Sequence, residues 1–193
     1  MQLVRRAKDA GFTPEHDTWL HGMTYSQAFV TCVGAGPWKL PRRKKIQQEA
    51  LRALGNRDLA SRVTIPYPLD WQNHYISNMR ASLKTWGLSM EDYCRHVRKV
   101  DDRYQIYLAA GSPNGTKVLS LFCRDALQIE SFPIDRHVRR LLVENGLPTD
   151  ESAMIDICLS CAFDPNSVAH LLVRFGSRDQ DGTMNAQNLL DTK

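Results

Sequence analysis

The stretch Gly111-Ser112-Pro113-Asn114-Gly115-Thr116-Lys117-Val118-Leu119 stands between two segments of helical character. Tyr107-Leu108-Ala109-Ala110 before it reads as a helix end. After it, Val118, Leu119, Leu121, Phe122 and Ala126 recur at three- and four-residue intervals, the period of one helix face. Asn114-Gly115 can supply the positive φ of a tight turn, so the chain reads helix, turn, helix. A loop follows. Another helix then opens at Asp135 in Phe132-Pro133-Ile134-Asp135-Arg136-His137-Val138-Arg139-Arg140, with Val138, Leu141 and Leu142 forming its apolar stripe. Working outward, the same period predicts helices over 25–33, 42–54, 71–85, 90–100, 152–162 and 167–175. Gly and Pro clusters break the chain at 34–37, 65–68, 111–115 and 145–148. Strand alternation is nowhere sustained, so the expected fold class is all-α.

A chain of 193 residues can form one domain or two small ones. It has no apolar run long enough to cross a bilayer, and residues 1–10 alternate charged and apolar side chains, unlike a secretion signal. No membrane partner is expected, and the expected location is cytoplasmic, with the nucleoid or a nucleus as the site of action. The net charge of +4 favours a polyanionic partner only weakly. The charge is concentrated in Arg42-Arg43-Lys44-Lys45 and in Arg136, His137, Arg139 and Arg140, either of which alone also reads as a solvated helix face. Five cysteines, an odd number, suggest reduced thiols. Cys158 and Cys161 have metal-pair spacing, but there is no second pair, and the apolar run 155–163 favours buried packing for both. No metal is expected.

Lys117 falls in the first helical turn, where the positive end of the macrodipole disfavours a cation. That field, with partial burial, would lower the ammonium pKa and supply neutral amine as a nucleophile; a lysine reaching solvent or pairing with a phosphate is the ordinary alternative. Asp135 stands where an N-cap belongs, and capping alone would explain it. Pro133 and Ile134 would fix its approach and partly desolvate it.

Hairpin, lysine and the segment 132–140 together resemble the endonuclease III branch of the helix-hairpin-helix DNA glycosylase superfamily. In that branch a Gly-rich hairpin ends in Lys, and an Asp within a Val-Asp-Thr-His-like segment follows. Here Lys117 and Asp135 are eighteen positions apart, the spacing expected of the family, with His137 two after the Asp and Arg140 where the family often has Arg. Leu83-Lys84-Thr85-Trp86-Gly87-Leu88 looks like the family segment before the hairpin, and the stretch 168–176, with His170 and Phe175-Gly176, like its late helix.

The resemblance implies two helical lobes with the active site in the cleft between them: a central one over 22–132 and a second built from 1–21 and 133–193. It also implies a bifunctional glycosylase and AP lyase that flips a damaged, by analogy oxidised, base out of double-stranded DNA and forms a Schiff base through Lys117, followed by β-elimination. Asp135 would assist the nucleophile and stabilise the sugar cation. Asn114, Gly115, Thr116, Arg136, His137, Arg139 and Arg140 would contact DNA, the Gly115 and Thr116 amides gripping phosphate. Trp38 is the candidate wedge for the vacated stack, and a small core anchor is its alternative. Trp71, Trp86, Tyr75 and Phe29 could stack on a flipped base or belong to the core. The expected assembly is a monomer.

The chain departs from the family in three places. The hairpin reads Pro113-Asn114-Gly115 where the family has Gly, a hydrophobe and Gly. No cysteine follows Gly176, so neither the family's four-cysteine iron-sulfur cluster nor any other cofactor is expected. The place where relatives often carry a gap-filling Gln falls near Gly36. A non-catalytic DNA-binding or scaffold protein that kept the hairpin is the alternative of a different class, and a small helical protein unrelated to DNA is a third.

Overall fold

The computed structural model describes residues 1–13 and 19–176; residues 181–193, expected to be a frayed polar tail, lie outside the described residues. Among the described residues every regular element is helical. In order these are α1 (Gln2–Asp9), α2 (Tyr25–Gly34), α3 (Leu40–Leu54), α4 (Asp70–Trp86), α5 (Met90–Val100), α6 (Arg103–Ala109), α7 (Lys117–Leu121) with its π-helical continuation Phe122–Leu127, α8 (Arg136–Glu144), α9 (Glu151–Ser160) and α10 (Pro165–Gly176). None is long and apolar enough to cross a membrane.

The chain divides into two compact units, Gly22–Ile129 and a terminal unit made from the two flanking segments. The central unit is organised on α2. Eight of its residues, Ser26 and 28–34 with them, are buried, the pattern of a helix covered on all sides, and α3, α4, α5, α7 and the π turn all pack against it. Thr24 and Gln27 form a capping box that fixes its start, with Gln27 N donating to Thr24 Oγ1 at 3.2 Å and Thr24 N to Gln27 Oε1 at 3.1 Å. The Asp58 carboxylate accepts from Met90 N at 3.0 Å and from Ala60 N at 2.8 Å. It thereby ties the Pro-containing connection after α3 to the start of α5.

The terminal unit closes around Leu3, Val4, Ala7 and Phe12 from the first segment and Phe132, Val138, Leu142, Met154, Ile155, Cys158, Leu171 and Leu172 from the last. Leu141 shares this core, while Ile157 and Val173 pack against its edge. Phe132 is fully buried here, so the central unit ends at Ile129 rather than at 132. Where α8 and α10 meet, a Cβ on Gly176 would lie 2.8 Å from Leu141 Cδ1 and 3.1 Å from the His137 carbonyl oxygen, so a larger residue would push the helices apart. Cys158 is buried as expected, its thiol pushed up to about 12 by burial, with Cys161 and Asp164 adding to the shift. Cys161, expected to be buried with it, is exposed, because α9 ends at Ser160 and the chain turns outward.

Candidate active site

The hairpin is built from α6, a seven-residue turn and α7. Gly111, at φ +74°, ends α6. Ser112 N donates to Tyr107 O at 2.8 Å and Gly111 N to Leu108 O at 3.0 Å, the paired bonds of a Schellman cap. From the side, Asn78 Nδ2 of α4 donates to the Ala110 carbonyl at 3.3 Å and Ser82 Oγ to that of Ala109 at 3.2 Å. Ser112 to Gly115 then form a β-turn with Pro113 second, closed by Gly115 N donating to Ser112 O at 2.8 Å. Positive φ was expected of Asn114-Gly115, but Gly115 alone takes it, at +67°; Asn114 does not.

Gly115 has a second reason to be glycine. A Cβ there would lie 2.6 Å from Cε2 of Tyr107, whose ring fills the angle of the hairpin. The Tyr107 hydroxyl in turn meets Ser120 Oγ at 2.9 Å in the interior, linking α6 to α7. Because the Gly115 amide closes the turn, it is not the outward-facing phosphate donor expected from the sequence. Thr116 is the N-cap of α7, in extended conformation, and its side chain makes no cap bond. Its Oγ1 is buried without a hydrogen-bond partner among the described residues. Lys117 follows as the first helical residue, half-buried, with Val118, Leu119 and Ser120 buried behind it.

Directly after this turn lies an arrangement that sequence reasoning missed. Arg124 and Asp125, neighbours on the π turn, form a two-point ion pair, Nε to Oδ1 at 2.6 Å and Nη2 to Oδ2 at 3.1 Å. Their side chains are only 4% and 1% exposed. Cys32 of α2 is close by; burial raises its thiol pKa, Asp125 and Cys123 raise it further, and Arg124 pulls the other way. The available signal was an adjacent Arg-Asp inside the apolar run Leu121, Phe122, Cys123, Ala126, Leu127.

Asp135 lies in the terminal unit as the N-cap of α8, its Oδ1 accepting from His137 N and Val138 N, both at 2.9 Å. The segment leading to it is pinned by residues that sequence reasoning also missed. Glu151 Oε1 accepts from Ser131 Oγ at 2.7 Å and from Phe132 N at 2.8 Å, and Asn166 Oδ1 accepts from Ser131 N at 3.0 Å. Nothing in their spacing from Asp135 marked them. Of the basic residues expected to meet DNA, Arg140 donates to the Gly176 carbonyl at 3.0 Å, Arg139 to Thr149 Oγ1 at 3.2 Å, and Arg136 to His137 Nε2 at 3.1 Å.

Sequence-adjacent Asn114, Gly115, Thr116 and Lys117 are thus assembled within the central unit, and Asp135 to Arg140 within the terminal one. Trp38 lies half-buried in the connection between α2 and α3, with the Arg42 guanidinium 4.0 Å from its ring centroid. Among the other aromatics, Phe29 and Tyr75 are core residues, Trp71 packs edge-on against Tyr75, and Trp86 is 49% exposed beside Tyr93. No family model matches the chain, and no curated protein or solved structure shows significant similarity to it.

Proposed function

We propose that the chain is a DNA glycosylase with AP lyase activity that acts on a damaged, oxidised base in duplex DNA. The observation that carries this reading is the hairpin: a capped helix end, a turn that requires glycine beside Tyr107, and a helix that opens on a half-buried lysine. A short turn of this kind suits a phosphodiester backbone, and a lysine at its end would supply the amine for covalent chemistry.

In the proposed reaction the target nucleotide is rotated out of the stack, at a cost of a few kcal/mol that damage reduces. The Lys117 amine then attacks C1′ while the glycosidic bond breaks and its electron pair leaves with the base, which takes up a proton. The Asp135 carboxylate accepts the proton released by the amine and stabilises positive charge on the sugar. The sugar ring then opens: the C1′–O4′ bond breaks, O4′ takes up a proton, and the nitrogen lone pair forms the C1′=N bond of a Schiff base, which acidifies the 2′ hydrogen. Loss of that proton with cleavage of the 3′ carbon-oxygen bond completes β-elimination. This chemistry uses the chain's own residues and requires Lys117 and Asp135 to reach the same sugar.

A second reading has one observation in its favour. Asp135 Oδ1 serves two cap hydrogen bonds, the task of a purely structural Asp, and a scaffold that binds DNA without turnover would retain that geometry. The readings separate in a trapping experiment with borohydride and duplexes carrying oxidised guanine, an oxidised pyrimidine or uracil. A covalent adduct on one lesion that is lost in Lys117→Ala is the expected result. Retained binding with neither adduct nor base release on any lesion would establish the scaffold.

A further inference from the structure

The first two turns of α3 form the densest cationic surface of the chain. Lys39, Arg42, Arg43, Lys44 and Lys45 fall within seven positions, and no acidic residue lies between Lys39 and Glu49. Lys39, Arg42, Lys44 and Lys45 are exposed, while Arg43 is half-buried. Local energetics oppose this placement. The amino end of a helix already carries positive potential, the first turn has no acidic side chain, and the N-cap Lys39 provides no side-chain acceptor. The exposed Lys45–Glu49 contact at 3.9 Å offsets little of this.

One of these cations is fixed. The Arg42 guanidinium lies over the Trp38 ring at 4.0 Å, which holds its charge and planar donors in a set orientation. The connection carrying Trp38 is itself unusual. Trp38 Nε1 is buried without a hydrogen-bond partner among the described residues, as is Oε1 of the fully buried Gln72, whose Nε2 donates to the Val33 carbonyl at 2.8 Å. Both side chains close on Gly36, where a Cβ would lie 2.9 Å from Trp38 Nε1 and 3.4 Å from Gln72 Nε2.

The apolar face of α3, Ile46, Ala50 and Leu54, is buried in the central unit, so no exposed apolar row remains to enter a bilayer. What remains is a cluster of exposed cations on a helical scaffold, one of them fixed, suited to a polyanion. α2 packs against both α3 and α7, so the cationic residues and the hairpin belong to the same compact unit.

We propose that the amino-terminal half of α3 is a second backbone-contact surface for duplex DNA, anchored by Arg42 on Trp38 and engaging phosphates of the same duplex as the hairpin. This rests on the DNA-binding part of the function proposed above and is independent of its chemistry.

The test measures binding of the full chain to an undamaged duplex across a salt series, for wild type, for Arg42→Lys, and for Lys39→Gln/Arg42→Gln/Lys44→Gln/Lys45→Gln. Each phosphate contact contributes about 0.9 to the slope of log affinity against log salt, so the quadruple variant should lose about 3 to 4 from that slope and bind at least tenfold more weakly at ~0.1 M salt. Arg42→Lys should keep the slope and lose affinity. Relief of like-charge repulsion at the helix start offsets loss of the Arg42–Trp38 contact, so the thermal midpoint of each variant, measured alongside, should stay within a few degrees of wild type and separate lost binding from lost folding. An unchanged slope and affinity in the quadruple variant would overturn the proposal, as would polyglutamate or anionic vesicles competing as well as duplex at equal charge. Borohydride adducts with an unchanged slope would sink this surface alone; a reduced slope without adducts on any lesion would sink the glycosylase chemistry alone.

Discussion

Arg124 and Asp125 are linked by two hydrogen bonds in an interior where neither charge is stable alone. Removing one member leaves the other buried and uncompensated, which costs about 3–5 kcal/mol, whereas replacing both by apolar residues of similar volume can be neutral. Asp125→Asn should therefore lower the urea midpoint markedly, and Arg124→Met/Asp125→Leu should recover most of it. Equal loss in the two variants would show that packing of the π turn, rather than charge, is what the pair supplies. Arg124 Nη1 is buried without a partner among the described residues, and the Asp125 carboxylate engages the other two guanidinium nitrogens.

At the level of elements, α8 combines a fold role with a proposed chemical one in Asp135, and substitution can separate them. Asn caps a helix about as well as Asp, whereas Ala costs about 1 kcal/mol. Asp135→Asn should keep the thermal midpoint within a degree or two of wild type while abolishing base release. Asp135→Ala should lose both stability and activity. Full base release by the Asn variant would confine Asp135 to capping.

The helices were legible to different degrees for physical reasons. The long α4 and α5 carry apolar residues at clear helical spacing, and α5 coincides with the expected 90–100. α3 begins at Leu40, two residues before the expected 42, because Pro41 fits the first turn of a helix. α1 was not anticipated: Leu3, Val4 and Ala7 are few, and only burial against a distant part of the chain makes them a face. The π turn leaves no mark in residue spacing, since one extra residue per turn is set by packing. At the site, the turn was legible from Pro113, Asn114 and Gly115, because backbone conformation is written in such residues. The supports at Tyr107, Ser120, Glu151 and Asn166 were not, because each acts across a gap that local sequence does not measure.

On the scale of the whole molecule, the two units differ in how they are closed. The central unit is one continuous segment around a helix buried on all sides, while the terminal unit brings α1 onto α10 from opposite ends of the chain. Leu3→Ala, at a residue only 2% exposed, removes about 2–5 kcal/mol from the core it occupies. Amide hydrogen exchange on the intact chain should then quicken in α8, α9 and α10 while α2, α4 and α5 keep their protection. A uniform rise in all helices would show a single cooperative unit instead.

This closure has a consequence during synthesis. Residues 22–129 are complete before the second segment of the terminal unit is made, and α1 must wait for α10, which ends at Gly176, 47 residues after Ile129. At translation rates of about 5–20 residues per second, that delay is roughly 2 to 9 seconds. Throughout it Leu3, Val4, Ala7 and Phe12 are without the core that later buries them. An eight-residue segment is too short to hold a helix alone in water, so α1 gains its helix and its burial together, when the terminal unit closes.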